Sequence, residues 1–239
     1  MLTDTRKRQI ENEAIRLRTE IWEDASKYWP GRHPHPLEVL DPQIAANHLG
    51  YEMHFVPDLV LPLANANAAE ETAGVLDKKR KRILIADCFG RQVRTFTAAH
   101  ELGHIVLDHS DENHLLHRDM PIAGLEQQTT DPIEREANFF AGCYLIPPKF
   151  LAKVMKDMFG AAPFIFDYAA ANWLKPNDPG TLLYAAAGSL VRYRAIAAAR
   201  SYAGRQFNGH NLADLFKVST TTMAIRLREL ELVQDAVES

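Results

Sequence analysis

Apolar positions recur at two different periods along this chain, and the switches between them predict its elements. Ile10, Ala14, Leu17 and Ile21 fall three or four residues apart among charges, which predicts an amphipathic helix over residues 5–28, closed near Trp29, Pro30 and Gly31. Asp41 followed by Pro42 reads as an N-cap with proline in the first turn, Gly50 as the stop, and residues 51–56 as a strand. After an Ala/Asn-rich stretch over 63–70, apolar runs at 72–76 and 83–87 flank a charged segment, the pattern of a hairpin. Helical period returns at Thr95, Ala98, Ala99, Leu102, Ile105 and Val106 and sets a helix over 92–108, followed by a polar loop to Asp119. The next helix has sharp limits. Asp131 can cap it, Pro132 fits its first position, and Pro147 with Pro148 must end it, so it spans 132–146. From Pro163 onward the pattern reads as helical throughout: 164–174, an alanine-rich 180–203, and two short segments parted at Val218 and Ser219.

This order predicts an α+β fold, with a small mixed sheet packed on the 92–108 and 132–146 helices. Residues 1–160 are expected to form one domain with an N-terminal amphipathic helix. Residues 161–239 are expected to form a helical region ending in a helix-turn-helix-like pair. At 239 residues, 46% hydrophobic and 24% charged, the chain can bury a sizeable core. Its net charge of −4 provides no global basic field, so any nucleic-acid contact must be local. No apolar run approaches membrane-spanning length and no signal peptide is visible at the start, which predicts a cytoplasmic protein. With only Cys88 and Cys143 present, the cysteines are expected to be buried free thiols.

The chemistry is concentrated in His100, Glu101, Leu102, Gly103 and His104. Residues four apart in a helix lie about 40° from eclipsed, so His100 and His104 project from one face and can grip a single ion. Zinc takes neutral imidazole nitrogens, and a catalytic site stops at three protein ligands so that water can fill the fourth place. Glu101 is about 100° away around the helix, placed for a general base that takes the proton of a water acidified by zinc. A His-Glu-x-x-His match arises by chance roughly 0.03 times in such a chain.

A third ligand must come from elsewhere. Glu134 and Glu136 differ by about 200° in direction, so only one can face the ion. Glu134 shares its face with Asn138 and Ala141, a polar and narrow stripe, whereas Glu136 lies with Phe139, Phe140 and Cys143, which favours Glu134. Asp131 and Glu134 are also spaced as a capping box, which would explain a glutamate there by itself. Asn138, one turn on, can hold a ligand histidine by its free ring nitrogen. His109, His114 and His117 are rival ligands at irregular spacing, and a Cys88 thiolate near the zinc would block the water position.

The stretch from Val93 to His104, the run Glu134, Arg135, Glu136, Ala137, Asn138, Phe139, Phe140, Ala141, and the closing Tyr144, Leu145, Ile146, Pro147 together resemble the ImmA/IrrE family of bacterial zinc peptidases. The resemblance covers residues 73–147. It implies a gluzincin-like site with one zinc ion, with Glu134 as the third ligand. It also implies a cytosolic regulatory protease that cleaves a helix-turn-helix repressor when DNA damage or foreign DNA is sensed. The chain departs from many members in showing no N-terminal helix-turn-helix domain and in carrying a longer helical C-terminal part.

Two segments offer a nucleic-acid reading. Lys78, Lys79, Arg80, Lys81 and Arg82 form a basic turn that can hold a phosphate backbone by charge, or simply be solvated. Residues 211–233 have helix-turn-helix spacing, with Arg226 and Arg228 on the second helix, but Glu229 and Glu231 oppose the charge such a reading head wants. The alternative function is therefore a DNA-associated regulator that keeps the zinc fold as a scaffold.

Overall fold

The computed structural model describes residues 2–57, 59–62, 69–109, 115–119, 131–186, 189–200 and 209–236, the side chains of 60–62, 69–71 and 115–119 excepted. The described residues form two compact units, one ending at Leu145 and the other beginning at Ile146.

In the first unit, α1 (Asp4–Glu23) is capped by Thr3, whose hydroxyl oxygen accepts from the Arg6 amide at 3.3 Å. The predicted stripe Ile10, Ala14, Leu17 and Ile21 is its buried face. The helix stops at Asp24 and a short α2 (Ala25–Tyr28) follows, so the expected single helix is two. In α3 (Pro42–His48), Asp41 Oδ1 accepts from the Gln43 amide at 2.9 Å, which satisfies a donor the helix cannot. Four strands come next: β1 (Glu52–Val56), β2 (Val60–Pro62), β3 (Ala69–Asp77) and β4 (Arg82–Ala86). Then come α4 (Arg91–Val106), β5 (Leu115–Asp119) and α5 (Pro132–Leu145).

The sheet runs β1-β4-β3-β2, with β5 also paired to β3. β1 lies parallel to β4, while β3 is antiparallel to β4, β2 and β5, so the sheet is mixed. Ile83 and Ile85 of β4 and Val75 and Leu76 of β3 are buried, and α4 packs against both strands and against α5. The α4–α5 approach is close. A Cβ on Gly103 would stand 2.9 Å from Ala137 Cα and 3.1 Å from its carbonyl oxygen, backbone atoms with nowhere to go. Glycine costs about 0.5–1 kcal/mol relative to alanine inside a helix, so its presence mid-helix marks a spacing requirement. Gly103→Ala is expected to destabilise the protein by about 1–3 kcal/mol through overpacking, despite the gain in helix propensity, as a lower midpoint in urea.

The second unit contains α6 (Pro148–Phe159), β6 (Phe164–Phe166), α7 (Tyr168–Leu174), α8 (Gly180–Leu183), α9 (Val191–Ala198), α10 (Leu212–Leu215), α11 (Thr220–Glu229) and β7 (Val233–Asp235). β6 and β7 pair in parallel, so the region is not wholly helical as the pattern predicts. Phe164 and Phe166 are buried and Ile165 is exposed, the alternation of a strand, and Asp167 then caps α7 by accepting from the Ala170 amide. The alanine-rich stretch is likewise interrupted between Leu183 and Val191, and residues 201–203 of that prediction lie outside the described residues. Among the described residues, no helix is long and apolar enough to cross a membrane.

Candidate metal centre

The nine residues from Phe96 to His104 are all buried, so α4 brings its two histidines into an enclosed space. The helical spacing turns both rings to one side, and their Nε2 atoms converge to 2.9 Å. Glu134, in the first turn of α5, completes the group: its Oε2 is 3.1 Å from His100 Nε2 and its Oε1 3.2 Å from His104 Nε2. One donor atom from each of the three residues lies within 4.8 Å of the others, the cluster of metal-ligating type found among the described residues. Ligands about 2.0–2.1 Å from a tetrahedral zinc are about 3.3–3.4 Å apart. The donors therefore need almost no movement to take such an ion.

The charge state fits as well. Burial pushes the Glu134 carboxyl up, but hydrogen bonds from His100 and His104 and their charge outweigh it, and the group is held well below the usual carboxylate range. An ionised carboxylate beside two imidazoles is a donor set suited to a divalent cation.

Glu101 is buried on the same helix, with its carboxyl against β3. A Cβ on Gly74 would lie 2.8 Å from Glu101 Oε1 and 2.5 Å from Thr97 Cγ2. Only glycine lets the strand pass this close to the face of α4 that carries Glu101.

The ring nitrogens turned away from the cluster are also engaged. His100 Nδ1 is 3.0 Å from Asn138 Oδ1, one turn beyond Glu134 on α5. With Nε2 given to a metal, Nδ1 carries the proton and donates to that oxygen. His104 Nδ1 is 3.0 Å from Nδ1 of His109, whose Nε2 is 3.1 Å from Glu136 Oε2. Arg6 of α1 then grips Glu136 with both nitrogens of its fork, Nε to Oε1 at 2.9 Å and Nη2 to Oε2. Burial lowers the His109 imidazole below its ordinary value, and the hydrogen bond from Arg6 lowers the Glu136 carboxyl. His109 thus stands behind His104 as its neighbour, not beside it as a rival ligand. Glu136, weighed in the sequence as the alternative third ligand, here faces His109 instead, and Arg6, which carries no motif, was not legible as a site residue.

The remaining candidates are elsewhere. His114 lies outside the described residues, as does the side chain of His117, whose backbone pairs with Val75. Cys88 is exposed in the turn after β4, against the expectation of burial, and is not part of the cluster, whereas Cys143 is buried in α5. A two-residue turn beyond a strand end leaves no apolar surface to cover Cys88. Of the basic run, Lys78 Nζ donates to the His109 carbonyl at 2.6 Å, Arg80 pairs with Asp77 at 2.9 Å, and Arg82 is 3.8 Å from Glu52. Lys79 and Lys81 are exposed. In the second unit, α11 packs on α9 and its residues from Thr222 to Leu227, Arg226 among them, are buried. Arg228 and Glu229, at the end of α11, are exposed, so of the two arginines expected on this helix only Arg228 reaches the surface, beside an acidic neighbour.

A small mixed sheet over a His-Glu-x-x-His helix, with a third donor on the following helix, defines a metallopeptidase-type domain. Residues 59–161 match the family model described as the IrrE N-terminal-like domain, Peptidase_M78. No curated protein matches the chain.

Proposed function

We propose that this protein is a zinc-dependent metalloendopeptidase of the cytoplasm. In this reading it cuts one specific protein, a helix-turn-helix transcriptional repressor, in a stress, DNA-damage or phage-defence response. The observation that carries the peptidase reading is the convergence of His100, His104 and Glu134 donor atoms beside a buried Glu101 on the same helix. His100, His104 and Glu134 would hold one zinc ion, and Asn138 Oδ1 would keep His100 in the tautomer that leaves Nε2 free. Bound there, zinc supplies Lewis-acid polarisation and a water of lowered pKa. Glu101 accepts the proton of the attacking water on its carboxylate and returns it to the leaving amine. The repressor as substrate follows from the family resemblance. The test is to incubate the zinc-loaded protein with the repressor encoded beside its gene and to identify a new N-terminus in the products. An intact repressor under those conditions rejects this substrate.

The competing reading, a DNA-associated regulator, draws less support. Three of the five basic side chains in the β3–β4 turn are near protein acceptors, and Arg226 of α11 is buried. With about two lysines left for phosphate contact, any DNA binding is expected to change with salt at a log–log slope no steeper than about −2. A slope of −4 or beyond, measured by fluorescence anisotropy, would restore the DNA reading.

A further inference from the structure

His109 lies five residues beyond His104, past the end of α4, yet its ring returns onto the His104 ring, with centroids 5.1 Å apart and planes at 73°. The turn that brings it back is built into the backbone. Leu107 is the C-cap, Asp108 follows at φ +52°, and the amides of Asp108 and His109 donate to the carbonyls of Ile105 and His104 at 3.2 and 3.1 Å. This is the double hydrogen-bond pattern that ends a helix in a left-handed residue, a conformation aspartate tolerates better than branched or bulky side chains. Lys78 of the β3–β4 turn fixes the same point from the other side by donating to the His109 carbonyl.

The hydrogen bonds then run in one direction. Arg6 can only donate, so Glu136 accepts from it as a carboxylate and accepts again from His109. His109 must therefore carry its proton on Nε2, which leaves Nδ1 as an acceptor. Among the described residues, the group facing that acceptor is His104 Nδ1, which supplies the proton. His104 therefore keeps its proton on Nδ1, so Nε2 is the nitrogen it can give to a metal, and that atom is the one directed at His100 and Glu134.

We propose that His109 is a positioning residue for His104: held by Glu136 and Arg6, it fixes the tautomer and ring orientation in which His104 offers Nε2 to the metal. This rests on the metallopeptidase reading and extends it, pairing each ligand histidine with its own partner, Asn138 for His100 and His109 for His104. It also gives α1, far from the motif in sequence, a role at the site.

The test compares zinc affinity of full-length variants by competition with a chromophoric chelator, alongside the thermal stability of the metal-free forms. His109→Phe keeps the ring volume and removes the acceptor, and zinc affinity is expected to fall about 10- to 100-fold. His109→Asn, which can place an amide oxygen near the lost Nδ1, is expected to recover most of that loss. Should His109→Phe fold poorly, Glu136→Leu leaves the ring in place and removes only what orients it, and is expected to weaken zinc as well. The second readout is the tautomer itself, from long-range proton–nitrogen correlations in the metal-free protein. His104 is expected to be the Nδ1-protonated form in the wild type and a mixture in His109→Phe. Wild-type affinity in both His109→Phe and Glu136→Leu, or an unchanged His104 tautomer, overturns the proposal. Glu134→Ala in the same assay separates the two levels: if it also binds zinc normally, the metal site is wrong, and if it alone loses zinc, only the role of His109 is.

Discussion

Glu101→Gln is expected to abolish peptide-bond cleavage while leaving the fold and the metal donors as they are. The substitution is isosteric, so the close passage of β3 at Gly74 over the glutamate is undisturbed. What is lost is the capacity to take up a proton, because an amide does not titrate in the accessible range. General-base catalysis contributes about 10²–10⁴-fold, and here the same carboxyl also serves the leaving amine, so kcat/KM should fall by at least that much. The variant should bind zinc with wild-type affinity, which excludes an unfolded or metal-free enzyme as the cause. Cleavage of a protein substrate at wild-type rate by Glu101→Gln would remove the peptidase mechanism altogether.

The second large effect is expected from Glu134→Ala. Its carboxylate supplies the only formal negative charge among the three donors, and it reaches both histidines with different oxygens. Removing it leaves two imidazoles converging at 2.9 Å with no anion to balance a divalent charge. Zinc affinity should drop by more than the about 10- to 100-fold typical of losing an outer partner, and the protein as purified should carry little metal. Glu136→Ala should cost less, because Glu136 acts on the cluster only through His109. If the order of the two is reversed when metal content is measured, the ligand assignment is wrong.

The chain revealed most about the parts of the fold that local rules govern. Asp41 with Pro42, and Asp131 with Pro132, fix helix starts by capping chemistry that acts over two or three residues, and both helices begin there. The strands at Met53, Val75 and Ile83 likewise follow from short apolar runs next to turn residues. Failures came where tertiary contacts override propensity. Phe164, Ile165 and Phe166 are too few to display a period, and only their pairing with Val233, Gln234 and Asp235 makes them a strand. Pro147 and Pro148 read as a stop, but Pro148 is also the first residue of α6, where its missing amide costs nothing. The Leu151, Val154, Met155, Met158 and Phe159 stripe that follows is as regular as any in the chain.

At the site, the limit was of another kind. A pair of histidines at helical spacing can be recognised without knowing anything beyond the helix. His109 can be recognised only if the chain is known to reverse at Asp108, since its distance from His104 along the sequence suits no regular element. The one clue was the type of residue at 108, short and polar just after the last apolar position, which is where a left-handed helix end is tolerated.

Through the proposed role of His109, the grip of Arg6 on Glu136 couples the seating of the first helix to the filling of the metal site. Whatever free energy the docked helix lends to the ion, the ion must return to the helix. A chain starved of zinc would then present its N-terminal segment more loosely to its surroundings, so that metal supply governs how readily this segment is reached, as well as whether the enzyme can act.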